Sequence, residues 1–106
     1  MATIDIIGEI GVDFSAQDMV SFLKSNTDEV IDVNIASRGG SAIDGFMIYD
    51  LLMQSGKAIN TNIVGLAGSA SSIIVMAGEK REMSVSGMIM THKSSIGRGG
   101  NVDELK

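Results

Sequence analysis

No cysteine occurs in the 106 residues, and histidine occurs once, at His92. The first absence rules out a disulfide framework and thiolate zinc sites, and the second rules out histidine-rich metal clusters. Nothing in the chain calls for a cofactor or a metal. Basic residues are also scarce, with eight Lys and Arg against thirteen Asp and Glu and a formal net charge of −5. The acids are spread over Asp5, Asp13, Asp18, Asp28, Glu29, Asp32, Asp44 and Asp50. No basic stripe is left to neutralise phosphates, which argues against nucleic acid as a partner. No apolar run approaches the roughly 20 residues of a membrane span, and Asp5 stands where a signal peptide would carry positive charge. The expected location is therefore the cytoplasm, without membrane contact. Only 4% of residues are aromatic, against eight methionines. That balance suits adaptable packing, mostly in the core, with some methionines available for a subunit contact.

What remains is 44% apolar, enough for a single domain at the small end of what buries a secure core. Residues 3–8 read as a strand. Ser15 then opens a helix in which Ala16, Met19, Val20 and Leu23 recur at helical spacing, and Asp18 completes a capping-box-like pair with Ser15. Ile31, Val33 and Ile35 alternate with polar residues as a strand, Arg38-Gly39-Gly40 reads as a tight turn, and 41–54 as a helix ended by Gly56. The same order repeats in a strand over 58–64, a turn over 65–68, and an apolar helix over 70–77 that should be buried on all sides. Two short strands follow over 81–85 and 88–92. In the second, Met88, Met90 and His92 share one face.

These units put Gly39 and Ser69 at equivalent places 30 residues apart. The pattern predicts a stacked α/β spiral of strand-turn-helix units, with the two turns side by side. At the C-terminal end, Asn101 and Glu104 have the spacing of a helix start, and the sequence stops at Lys106. So short a helix does not form alone, and the expectation is a C-terminally truncated chain.

Ser69 stands in Val64-Gly65-Leu66-Ala67-Gly68-Ser69-Ala70-Ser71-Ser72, where a β-branched strand yields to small residues and then to a helix. Small neighbours let a hydroxyl stand clear of a crowded turn, and the helix behind it aims free N–H groups at the site. Helix capping is the competing reading of the same serine. Acyl transfer needs a nucleophile, a base and oxyanion donors. Ser69 would attack, His92 would take its proton, and the backbone N–H groups of Gly40 and Ala70 would hold the oxyanion. Glycine at Gly39 and Gly40 would let a substrate carbonyl approach the backbone closely, although the pair also reads as a plain turn.

With these residues in place, the chain resembles the ClpP-like serine peptidases, and within them the phage head maturation (prohead) proteases. The resemblance rests on Ile4-Asp5-Ile6-Ile7-Gly8-Glu9-Ile10-Gly11, on Ala36-Ser37-Arg38-Gly39-Gly40 followed by Gly45 and Ile48-Tyr49-Asp50, on the Ser69 run, on Ala77-Gly78, and on Met88-Ile89-Met90-Thr91-His92. It implies a ClpP/crotonase-like spiral, Ser69 as nucleophile, His92 as base, and Gly40 and Ala70 as the oxyanion hole. It also implies a polypeptide substrate bound as an added strand beside the backbones of 40–42 and 93–95, which brings in Gly39, Ser41, Ala42, Lys93, Ser94 and Ser95. A homo-oligomeric ring, with a phage capsid or scaffold protein as substrate, is the implied setting, in a bacterial host cell and encoded by phage or prophage.

The chain departs from the family at Arg38, where proline is usual, and at Lys93-Ser94, which replaces Gln-Pro or Asn-Pro after the histidine. The family's third, acidic triad member would fall beyond Lys106, because Asp103 and Glu104 follow the histidine too closely. The 106 residues alone are therefore expected to be inactive or impaired. A non-catalytic ring subunit or scaffold, and a crotonase-like acyl-CoA enzyme with an oxyanion hole but no serine nucleophile, are the alternatives.

Overall fold

The computed structural model describes residues 1–84 and 87–90. In chain order the elements are β1 (Ala2–Ile10), α1 (Ala16–Ser25), β2 (Val30–Gly40), α2 (Ala42–Gln54), β3 (Ala58–Gly68), α3 (Ala70–Val75), β4 (Lys80–Met83) and β5 (Met88–Met90). A helical return after each of β1, β2 and β3 brings the next strand in parallel. The sheet runs β1-β2-β3, with β4 and β5 both on the far side of β3. β4 lies along Asn60 to Ile63 and β5 along Leu66 to Gly68. This is the α/β spiral that the repeated strand-turn-helix order predicts.

Helices form where the local chemistry asks for them. The Ser15 hydroxyl accepts from the Asp18 N–H at 3.2 Å, and the Asp18 carboxylate accepts from the Ser15 N–H at 2.8 Å. That reciprocal cap is worth about 1 kcal/mol to α1. One face of the sheet carries Ile31, Val33, Ile35, Ile59 and Ile63, all buried, and packs under Met19, Ile48, Leu52, Ile74 and Val75 from the three helices. The other face is polar at the strand starts. Asn34 Nδ2 donates to Asp5 Oδ1 at 3.0 Å, Asn60 Nδ2 to Asp32 Oδ1 at 3.0 Å, and Asn62 Nδ2 to Asn34 Oδ1 at 3.3 Å. All-parallel sheets are usually covered on both faces, and here an Asp–Asn ladder takes the place of a second layer among the described residues.

The strands run further than periodicity predicts. β2 continues through Arg38, Gly39 and Gly40, and β3 through 65–68, segments that read as turns in the sequence. Glycine explains the extension: at φ of +119° and +143°, Gly39 and Gly40 pair with Glu9 and Ile10 after a register shift that follows Ile7↔Ala36. The pairing of β2 with β3 is broken by a bulge, passing from Ile35↔Ile63 to Ser37↔Ala67. β3 therefore spends two more residues than β2 in reaching the same height. α3 is shorter than the predicted 70–77 and is not buried all round, since its C-cap Met76 is 51% exposed.

Candidate active site

Two of the three strand-to-helix joints of the spiral consist of one residue, and in each case that residue is serine. Ser41 links β2 to α2 with φ −67° and ψ 118°, and its side chain accepts from the Asp44 N–H at 3.1 Å. It is an ordinary N-cap. Ser69 links β3 to α3 with φ 49° and ψ −121° and makes no side-chain cap bond. It is the one non-glycine residue with positive φ among the described residues. The capping reading of Ser69 is thus corrected. A residue held in such a conformation costs on the order of 1–3 kcal/mol, and persists only where its surroundings enforce it.

The surroundings that enforce it come from the other joint. A β-carbon built on Gly39 would lie 2.6 Å from the Ser69 Cβ and 3.2 Å from the Ala70 nitrogen. Only glycine admits that approach. The two turns therefore lie side by side, with Gly39 as the contact residue. Gly40 points elsewhere, since its missing β-carbon would collide with the Ile10 carbonyl of β1. A side chain at Gly40 would displace β1 rather than intrude upon Ser69. Ala70, 2% exposed, is the first residue of α3, so its N–H belongs to the donors that a helix start leaves without an intrahelical partner.

The neighbouring serines are occupied. The Ser72 hydroxyl donates to the Ser69 carbonyl at 2.6 Å. The Ser71 hydroxyl is wholly buried, 2.8 Å from the Gly68 carbonyl and 3.0 Å from the Ser37 carbonyl. Ser37 Oγ in turn accepts from the Gly39 N–H at 3.0 Å. The sequence pattern assigns no role to Ser71 or Ser37. The available signal was a serine inside an otherwise apolar helix, which must find a partner once buried.

Of the residues implicated in substrate binding, Gly39 and Gly40 end β2, Ser41 caps and Ala42 already belongs to α2. The Ser41 N–H is taken by the Ile10 carbonyl at 2.9 Å. The extended backbone on this side therefore stops at Gly40. His92, Lys93, Ser94 and Ser95 lie outside the described residues, as does the helix start at Asn101 and Glu104. A groove of about 750 Å³ opens at the C-terminal ends of β1, β2 and β3, between Ile7, Glu9, Arg38, Gly39, Val64 and Leu66. Ligands of parallel sheets settle at that end of the strands. Its Gly39 wall is the one that touches the Ser69 turn. Among the described residues no group of acids or histidine is placed to hold a metal ion, and no helix is long and apolar enough to cross a membrane.

The family model for Clp protease matches residues 2–106. The chain belongs to the Clp protease family. A curated relative, the ATP-dependent Clp protease proteolytic subunit of Deinococcus radiodurans, is 34% identical over 83 residues, which make up 76% of this chain and 41% of the relative. Among solved structures, ClpP1 from Listeria monocytogenes superposes with a TM-score of 0.74 at 22% identity, covering 97% of this chain and 63% of that one. A form of the Listeria protein with one Asn replaced by Asp gives the same TM-score and identity, over 96% and 60% of the two chains. These structural likenesses speak for the fold. The chain spans about two-fifths of the curated relative that it matches.

Proposed function

We propose that this protein is a serine endopeptidase of ClpP type that works through an acyl-enzyme on Ser69. The observation that carries the reading is the Ser69 joint itself. A serine occupies a strained strand-to-helix corner, gives no cap bond in return, and has a glycine of the neighbouring turn against it. In this reading Ser69 Oγ attacks the peptide carbonyl and His92 takes its proton. The oxyanion is then held between the backbone N–H groups of Gly40 and Ala70. The peptide lies along the end of β2 at Gly39 and Gly40, reaches toward Ser41 and Ala42, and is flanked on its other side by Lys93, Ser94 and Ser95.

The setting we infer is a homo-oligomeric ring in the bacterial cytoplasm, encoded by a phage or prophage, with a capsid or scaffold protein as substrate.

The experiment is active-site labelling of the protein with a fluorophosphonate, peptide mapping of the adduct, and hydrolysis of casein. An adduct on Ser69, lost in Ser69→Ala together with hydrolysis, is the expected result. An adduct on Ser71 or Ser72 overturns the assignment. Assembly with neither labelling nor cleavage identifies a non-catalytic subunit, and turnover of an acyl-CoA without labelling identifies a crotonase-like enzyme.

A further inference from the structure

We propose that Ser71 is a positioning residue, whose buried hydroxyl ties the Gly39–Gly40 turn to the Ser69–Ala70 turn and so sets the spacing between oxyanion donors and nucleophile. The inference rests on the function proposed above. It begins with a gap in the sheet. Ladder pairing between β2 and β3 is regular up to Ile35↔Ile63 and resumes only at Ser37↔Ala67, after the bulge. Regular ladder bonds are thus interrupted immediately before the two strand ends that must be held in register with one another.

Ser71 bonds both strands just beyond that interruption. It sits in the first turn of α3 with no exposed surface, and its Oγ is within hydrogen-bond distance of two carbonyls. One, Gly68, lies three residues back at 2.8 Å. The other, Ser37, lies 34 residues away on β2 at 3.0 Å. A hydroxyl has one proton, which is shared between the two acceptors or passes from one to the other, so the same group serves both strand ends. Serine in a helix ordinarily bonds back to its own helix or the preceding turn. The bond to Ser37 is the addition that joins two turns distant in sequence.

Ser37 passes the restraint on. Its carbonyl accepts from Ser71 and its own Oγ accepts from the Gly39 N–H at 3.0 Å. Gly39 is the residue against Ser69. The chain Ser71, Ser37, Gly39 therefore closes a loop back onto the nucleophile's Cβ through contacts that are all buried or half-buried. Such a loop leaves Ser69 Oγ itself untouched, which is what a support for a nucleophile must do. Ser71 does not meet substrate in this account; it acts through the turn that does.

The test compares the unsubstituted protein with Ser71→Ala and Ser37→Ala. In Ser71→Ala the fluorophosphonate adduct stays on Ser69. Its rate of formation and kcat are expected to fall by about 10- to 100-fold, the scale of a misplacement near 1 Å, while KM for a fluorogenic peptide stays within about twofold. Affinity for a peptide boronate, which mimics the tetrahedral intermediate, should fall by the same factor as kcat. Ser37→Ala should act in the same sense and more weakly, because its carbonyl remains available to Ser71. If Ser71→Ala does not fold, Ser37→Ala carries the test, and its unchanged kcat overturns the proposal. Lowered thermal stability with kcat, labelling rate and boronate affinity unchanged in Ser71→Ala makes Ser71 a stabilising residue only, and likewise overturns it. Absence of a Ser69 adduct in the unsubstituted protein instead removes the proposed function, so the two failures are told apart.

Discussion

Gly39 and Ser69, thirty positions apart, meet so closely that a β-carbon on the glycine would stand 2.6 Å from that of the serine. The contact makes each turn a wall of the other. It also divides the two adjacent glycines by role, since Gly40 is pressed against the Ile10 carbonyl of β1 instead.

That division predicts different outcomes for two similar substitutions. Gly39→Ala, at φ +119°, should push the Ser69 corner out of place and abolish labelling. Gly40→Ala, at φ +143°, should loosen β1 and lower the melting temperature before any effect on Ser69. Labelling rate and thermal melts, taken side by side, separate them. Equal loss of labelling at equal stability would refute the division.

A second prediction concerns stability alone. Ser69→Gly should relieve a conformation worth on the order of 1–3 kcal/mol and add back roughly 0.5–1 kcal/mol of unfolded-chain entropy, leaving the protein modestly more stable. Ser41→Ala should cost about 1 kcal/mol, because Ser41 caps its helix. Denaturant unfolding of both variants checks this. A stability loss in Ser69→Gly as large as that in Ser41→Ala would mean that Ser69 is a structural cap after all.

Ser72→Ala should leave labelling and hydrolysis near their full values. Its hydroxyl donates to the Ser69 carbonyl at 2.6 Å, a local bond whose loss costs about 1 kcal/mol at most. The adduct should map to Ser69 in this variant as in the unsubstituted protein. Loss of the adduct would show that Ser72 takes part in the chemistry.

The order of strands and helices was readable because each joint carries its own local signal: Ser15 with Asp18, Ser41 with Asp44, and Ser69 with small residues around it. That the Gly39 and Ser69 turns lie side by side was readable from the repeated strand-turn-helix order. What escaped was set between distant segments. The glycines at 39 and 40 keep β2 extended only because β1 is there to pair with them, so they read as a turn in isolation. The bulge after Ile35 and the bond from Ser71 to Ser37 join residues that no local window contains. Ile31, Val33 and Ile35 alternate with polar residues in the sequence, but no local window shows that Asn34 bonds to Asp5 and Asn62, or Asp32 to Asn60, across strands.

That wet face has a consequence for the chemistry on the opposite end of the strands. Asp5, Asn34 and Asn62 are bonded in a row across β1, β2 and β3, and Asp32 and Asn60 form a second row. In a sheet, a slip of one residue turns every side chain to the other face, so both rows would be broken and their amides driven into the isoleucine layer. The rows act as a key that allows one sliding position of β2 against β3. Gly39 is the last residue but one of β2 and Ser69 directly follows β3, so the water-facing Asn34 and Asn62, five and seven residues back, fix the register from which the two strands set out toward that meeting.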